Sequence, residues 1–430
     1  MPIHFVSNWQ RNSDALLLRI IPLFLLVDCV NGALLQYTGS SFVLASIYKL
    51  LLLSLMTVSL VAQKPKLVAG LALLLVLLLI GPGLHWSALP MRWIQADLQL
   101  ALKIISPLLA FAYLSALSQR MPEHCRLLCQ RSLYFSALVL LVNILAGLAG
   151  LGFNAYQPLE GVAQSFLGIK GFFYSTNELS AVLLVLSAAV LALSWPQHKP
   201  RYLIISLLAV AAAALMLTKT GLFGVLVLVL FVPLLLQPAP FWQQKRLGLL
   251  AGAVVLALVL LLVWLNGEYL LRSLGIYDKL TFVYHQRGIS GILLSSRDYY
   301  AGKIWQTTSQ HYSEWQRYLG VGQGGVGLYL KKYFAELDWF DLLIFHGLPG
   351  LFAFLLTFSL FIRRSWQARA SGMARCLILL NVLLLTVSSV VGHIMTSGML
   401  WLPWALTAVL LLQPDKLGVS HHLRQQKESA

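Results

Sequence analysis

Charge is the first thing this 430-residue chain lacks: only 11% of it is Asp, Glu, Lys or Arg, against roughly 25% in an ordinary soluble domain. With 59% hydrophobic residues, far more apolar surface is present than one water-soluble core could bury, and disorder is excluded on the same ground. Cysteine is also scarce. Cys29, Cys125, Cys129 and Cys376 are the four, and none lies in the one long polar loop. No disulfide framework is expected. Cys125 and Cys129 stand beside His124, but their spacing is not that of a zinc pair. Neither a metal nor a cofactor is expected. Acids are fewer than bases, 15 Asp+Glu against 31 Lys+Arg. In a soluble protein that excess would suggest nucleic acid. In a membrane protein it reads as basic cytoplasmic loops, and no nucleic-acid partner is expected. The chain has no internal repeat, Walker loop, zincin motif or dinucleotide fingerprint.

What is present is a series of long apolar runs. About 20 such residues cross a bilayer. Twelve stretches qualify, near residues 15–36, 41–62, 67–86, 96–117, 133–152, 176–194, 201–217, 220–236, 247–265, 340–362, 374–393 and 396–413. The first has no small-residue cleavage site after it and reads as a retained span. With the N-terminus inside, the cytoplasmic segments hold seventeen Lys/Arg, while the short outer loops hold three, Arg92, Lys170 and Lys219. That asymmetry predicts a multi-pass membrane protein with both termini cytoplasmic. The expected fold class is an all-α membrane bundle of about twelve helices. Residues 1–265 and 340–413 form the bundle, 266–339 a large periplasmic loop and 414–430 a cytoplasmic tail.

The loop 266–339 has no proline, eight Lys/Arg, six Asp/Glu and many aromatics, the composition of a small folded cap. Arg297 to Trp315 carries apolar and aromatic residues at helical spacing. The glycines at 320, 322, 324, 325 and 327 predict a turn or irregular backbone.

Several residues can carry chemistry. Lys49 and Lys103 sit inside spans, where an ionisable side chain marks a functional site by default; a structural pair with Asp28 or Asp97 is the equally weighted alternative. Lys219, in Leu217-Thr218-Lys219-Thr220, sits at the outer end of two short spans, facing lipid phosphates or acting as an interfacial anchor. Arg297, in Ser295-Ser296-Arg297-Asp298-Tyr299, suits bidentate phosphate binding. Glu336, Asp338 and Asp341 gather at the mouth of the tenth span. They read as general bases or as acids stabilising a helix N-terminus. Trp305, Trp315 and Trp339 can stack on sugar rings or form an interfacial belt. His346 and His393, each alone in its segment, read as packed histidines.

Three segments in this order resemble the O-antigen ligase and polymerase superfamily of bacterial envelope glycosyltransferases. They are Gly168-Ile169-Lys170-Gly171-Phe172-Phe173-Tyr174-Ser175-Thr176-Asn177-Glu178-Leu179-Ser180, then Leu217-Thr218-Lys219-Thr220, then the outer loop. The loop supplies Ser296-Arg297-Asp298, Leu319-Gly320-Val321-Gly322, Glu336-Leu337-Asp338 and Gly347-Leu348-Pro349-Gly350. The resemblance covers about residues 165–355. It implies transfer of a glycan from undecaprenyl diphosphate at the periplasmic face, without nucleotide sugar or metal. By it, Arg297, Lys219 and Lys170 hold the diphosphate and Trp305, Trp315 and Trp339 touch the glycan.

Two positions depart from the family pattern. Ligases carry a histidine eleven residues before the Gly-Leu-x-Gly run, and here that position is Glu336. The polymerase branch often has an acid there, so the resemblance favours a repeat-unit polymerase with Glu336 as base and Asp338 second. The second departure is Lys219, where the family has Arg, a point charge in place of a fork. The expected partners are lipid-linked donor and acceptor, the bilayer and a chain-length regulator. A ligase to lipid A core or protein is the first alternative. A lipid-linked oligosaccharide flippase or other transporter is the second.

Overall fold

The computed structural model describes residues 2–40, 43–156, 167–237 and 294–413, with isolated positions between 268 and 291. The expected ninth span 247–265, most of the loop before residue 294 and the tail 414–430 lie outside the described residues. The architecture is all-α apart from one short hairpin. Among the described residues eight helices are long and apolar enough to cross a membrane, which makes this a membrane-embedded bundle. Described helices lie over the other eleven expected stretches.

Helix α1 (Pro2–Ile20) runs through a 3-10 turn at Ile21–Leu23 into α2 (Phe24–Thr38). Pro22 sits at the start of that turn, where its missing N–H is harmless. Next come α3 (Leu44–Val61), α4 (Pro65–Gly83), α5 (Met91–Arg120) and α6 (Pro122–Leu148). Proline opens α4 and α6 at a position that needs no donor. A two-stranded antiparallel hairpin follows, β1 (Phe153–Asn154) with β2 (Ile169–Gly171). Then come α7 (Thr176–Ser194), α8 (Lys199–Leu215) and α9 (Lys219–Leu235). The long-loop sequence contributes α10 (Arg297–His311), α11 (Glu314–Leu319) and α12 (Gly322–Gly327). Helices α13 (Asp338–Gln367), α14 (Gly372–Val390) and α15 (Trp401–Leu412) complete the bundle.

Helix α7 is apolar or small on every side, so it must be central. Every residue from Leu179 to Ser194 is indeed buried. Helix α15 packs along α5, α6 and α7 and is equally enclosed. Helices α8, α9 and α14 pack on α7, α13 and α14 on α15, and α3 and α4 on α5. The connections that matter gather at one end of the bundle. There Gln36 donates to the Gly152 carbonyl, Tyr156 to the Leu217 carbonyl, and Ser397 to Glu178.

The loop sequence folds onto this end. The expected helix from Arg297 stops at His311, and a capping box of Ser313 and Gln316 starts α11 afresh. The glycine run is not wholly irregular, as its composition suggested: Gly322–Gly327 forms the short helix α12. The reason is packing, because a Cβ at Gly324 or Gly327 would collide with Trp93. Gly320 and Gly347 meet backbone to backbone, and Val321 N–H donates to the Ile344 carbonyl at 3.0 Å. Gly347 has φ 63° and ψ −151° and breaks α13 after its first two turns, a conformation closed to side-chain-bearing residues. The Gly-Val-Gly and Gly-Leu-Pro-Gly runs are thus two halves of one contact.

Candidate active site

Three segments far apart in sequence converge at the loop end. Glu336 accepts from Arg297 Nη2 at 3.1 Å, faces Lys332 Nζ at 3.3 Å and lies 3.8 Å from His393 Nε2. Arg297 is buried, with its side chain 7% exposed, while Glu336 keeps 27%. Arg297 also donates from Nη1 to the Leu294 carbonyl at 3.3 Å. Its Nε is buried with no partner among the described residues. A guanidinium held on one side with a donor to spare is suited to an arriving anion.

Burial would push the Glu336 carboxyl up. The nearby His393, with the charges of Lys332 and Arg297, outweighs it and holds the pKa at about 2. Burial pushes His393 down, but the nearby Glu336 carboxylate and the fields of Glu178 and Asp338 win, and its pKa is raised.

The backbone here is strained. The described non-glycine residues with positive φ are Leu217, Ser295, Ser296, Glu336 and His393. Each is a member of this cluster or lies within two residues of Arg297 or Lys219. Such conformations cost about 1–3 kcal/mol each and gather at functional sites. At Glu336 and His393 carboxylates hold that backbone in place. Asp341 accepts the N–H groups of Ala335, Glu336 and Leu337 at 2.8, 2.9 and 3.2 Å, which fixes the bend at Glu336. Asp338 accepts the N–H groups of His393, Ile394 and Met395 at 2.8, 2.8 and 2.9 Å, with the hydroxyls of Thr396 and Ser388. That turn presents His393.

This division revises the expected second base. Asp338 is 1% exposed, and with five donors on two oxygens it has no lone pair left for a substrate proton. It positions His393. Of the three clustered acids, Glu336 alone keeps part of its side chain exposed.

The expected diphosphate cations take different places. Lys219 is exposed at the start of α9. Two residues before it, the Leu217 carbonyl accepts from the Tyr156 hydroxyl at 3.2 Å. Burial raises the Tyr156 pKa and the charge of Arg297 lowers it, which places Arg297 near this same loop. Lys170 lies on β2 between the rings of Phe153 and Tyr174, at 5.6 and 5.9 Å, and donates to the Tyr174 carbonyl. Burial lowers its pKa. Asn143 fixes that hairpin by bonding the Lys170 carbonyl and the Phe172 N–H.

The tryptophans do not form one surface. Trp305 lies under the Arg317 guanidinium at 5.4 Å and lines a groove of about 380 Å³ with Glu314 and Tyr318. Trp315 is exposed and meets Tyr318 edge-on. Trp339 is instead tied to α14, donating to the Ser389 carbonyl at 3.2 Å.

Two residues outside the expected site belong to it. His393 reads as a packed histidine because its partner Glu336 is 57 positions away; its positive φ is visible only in three dimensions. Glu178 lies inside the first of the three resembling segments, but nothing in its local sequence assigns it a role. It accepts from the Ser397 hydroxyl at 2.6 Å and the Gly398 N–H at 3.0 Å and adds to the field on His393. Among the described residues no group of three or more His, Cys, Asp or Glu gathers as metal ligands would. The cluster offers an anion-binding guanidinium, a carboxylate–imidazole pair and a strained frame. No protein-family model matches this chain, and no curated protein matches it.

Proposed function

We propose that this protein is a glycosyltransferase of the envelope, a polysaccharide repeat-unit polymerase acting on lipid-linked substrates at the outer face of the inner membrane. The observation that carries the reading is the ion pair of Arg297 with Glu336, set in strained backbone beside His393. The donor is a growing glycan on undecaprenyl diphosphate. The acceptor is a hydroxyl of the next lipid-linked repeat.

In the reaction the acceptor oxygen attacks the anomeric carbon, and the bond from that carbon to the diphosphate breaks. Arg297, with Lys219 at the neighbouring loop, stabilises the charge on the departing lipid diphosphate. The acceptor proton goes to Glu336, and His393 completes the pair. A carboxylate held near pKa 2 is a weak base. Arrival of the diphosphate draws Arg297 and Lys332 onto its oxygens and takes two cations off Glu336, which raises its basicity when substrate is bound. Lys170 lies farther round the hairpin and assists by its field.

The test is a gel of surface and lipid-linked glycans from a deletion strain of the source organism. The strain is complemented with the native gene, with Arg297→Ala or with Glu336→Gln. Single repeats left on the carrier or at the surface in place of polymer, rescued by the native gene alone, support the polymerase. Full-length polymer stranded on the carrier would make the protein a ligase. Repeats trapped on the cytoplasmic leaflet would make it a flippase. Normal chain lengths with Arg297→Ala would sink the site.

A further inference from the structure

Next to this cluster, inside the bundle, is a cavity of about 500 Å³. Its walls come from α2, α3 and α5, the segment 173–178 and residues 398–401. Asp28, Lys49, Lys103, Tyr174, Glu178 and Gly398 supply its polar side and backbone. Lys49 is bonded to Asp28 at 2.6 Å, one of the two pairings the sequence allowed. Lys103 is not the partner of Asp97, which accepts instead from the Gln323 N–H at 2.7 Å and from Trp86. Among the described residues Lys103 has no hydrogen-bond or ion-pair partner. The two lysines converge: a Cβ on Gly398 would lie 3.4 Å from Lys49 Nζ and 3.5 Å from Lys103 Cε.

One further atom is unspent. Asp28 is 92% buried at its side chain, and its Oδ2 has no partner among the described residues. A lone ammonium and a lone carboxylate oxygen in one apolar-walled space are costly unless something joins them. The group that satisfies both carries anionic oxygens for Lys103 and a hydroxyl for Asp28. Leu35, Leu50, Leu53 and Leu102 share the lining, and Leu50 and Ser46 are exposed at α3. The opening therefore faces the lipid-exposed side of α3, and a head borne on an apolar chain fits it better than a free ion.

We propose that this cavity is a second substrate site, which takes the hydroxylated phosphate head of a membrane amphiphile, with Lys103 on the phosphate and Asp28 on a hydroxyl. The polymerase reading is needed only to name that amphiphile as the lipid-linked acceptor. Polymerisation needs two lipid-linked molecules at once, and the two sites stand side by side. Glu178 forms part of the cavity wall, holds Ser397 and Gly398, and reaches His393 by its field. An acceptor anchored at Lys103 can therefore extend its glycan past Glu178 to Glu336.

The experiment uses the full chain in lipid nanodiscs and farnesyl phosphate bearing a diazirine on its chain, with labelled residues mapped by mass spectrometry. Labels should fall on α2, α3 and α5 and drop about tenfold with Lys103→Met, the loss of one charge-assisted contact. Lys103→Arg should keep them, which separates lost charge from a misfolded chain. Arg297→Ala should leave these labels in place, because it serves the other site. The matching farnesol probe should label weakly, and millimolar inorganic phosphate should not displace the farnesyl phosphate. Equal labelling by the alcohol, or labelling untouched by Lys103→Met, would overturn the proposal. Displacement by inorganic phosphate would assign the site to a free ion and overturn its lipid-borne half. Labelling reads the cavity without catalysis and the glycan gel reads the polymerase without the cavity, so each reading can fail alone.

Discussion

Two buried ionic clusters in this molecule look alike on paper and behave differently. At one end Asp14 accepts from Ser59 at 2.8 Å, Tyr113 at 3.1 Å and Arg120 at 2.7 Å. It ties α1, α3 and α5 together. At the other end Glu336 meets Arg297, Lys332 and His393. The Asp14 group sits on regular helices, and none of the positive-φ residues is near it in sequence. Around Glu336 the backbone is strained and the guanidinium keeps an unpartnered Nε. Burial of charge alone therefore marks a tie. Burial with strain and an unspent donor marks a place built to receive something.

The comparison breaks most visibly under substitution. On the proposed polymerase reading, Arg297→Ala should lower the rate of chain growth by about a hundredfold or more, the loss expected for one preorganised charge-stabilising group. The protein should remain in the membrane with little change in melting temperature. Arg120→Met should do the reverse. It strands Asp14 without its cation, costs about 3–5 kcal/mol of stability and lowers the melting temperature. The rate per folded molecule, measured on lipid-linked repeats in nanodiscs, should be kept. If Arg120→Met lost rate and kept stability, the two clusters would have been read the wrong way round.

Asp338→Asn lies between the two. The amide is the same size, but its nitrogen must face N–H groups that the carboxylate oxygens now accept. Leaving such buried donors unmatched costs about 1–3 kcal/mol. The turn 393–396 would loosen and His393 would lose its place beside Glu336. Both stability and rate should fall, the rate less than with Arg297→Ala. A variant with full rate and lower stability would reduce Asp338 to a plain tie like Asp14.

The sequence showed the bundle more clearly than the site, for a physical reason. Apolar runs are local and long, so helices such as α7 and α13 lie where their composition puts them. Which acid meets which donor is not local. Glu336, Asp338 and Asp341 are equivalent as letters within one short segment. Only the fold turns two of them onto backbone N–H groups and leaves one on the Arg297 guanidinium, partly exposed. His393 and Glu336 are 57 residues apart, and nothing in either segment announces the other. Lys49 with Asp28 was legible as one of two pairings, since each lies in a neighbouring apolar span. The helix at Gly322–Gly327 was not, because what decides it is Trp93, more than two hundred residues earlier.

The smallest expected effect concerns His393 and pH. Its pKa in the folded protein is raised above the usual histidine value, since Glu336, Glu178 and Asp338 together outweigh its burial. A raised basic pKa means the proton binds the folded state more tightly than the unfolded one. Its contribution to stability is therefore complete below pH about 6.5 and is lost as pH rises through the folded pKa. The melting temperature should therefore fall as pH rises across that window. Glu336 does not add to the slope there, because with a folded pKa of about 2 it stays ionised throughout. The loss should be absent in His393→Gln, which cannot titrate, and reduced in Glu336→Gln, which removes the carboxylate that raises the histidine. Melting curves of the detergent-solubilised protein across neutral pH decide it. An unchanged slope in His393→Gln would mean that the Glu336 cluster, like that of Asp14, carries a fixed charge pattern and no proton.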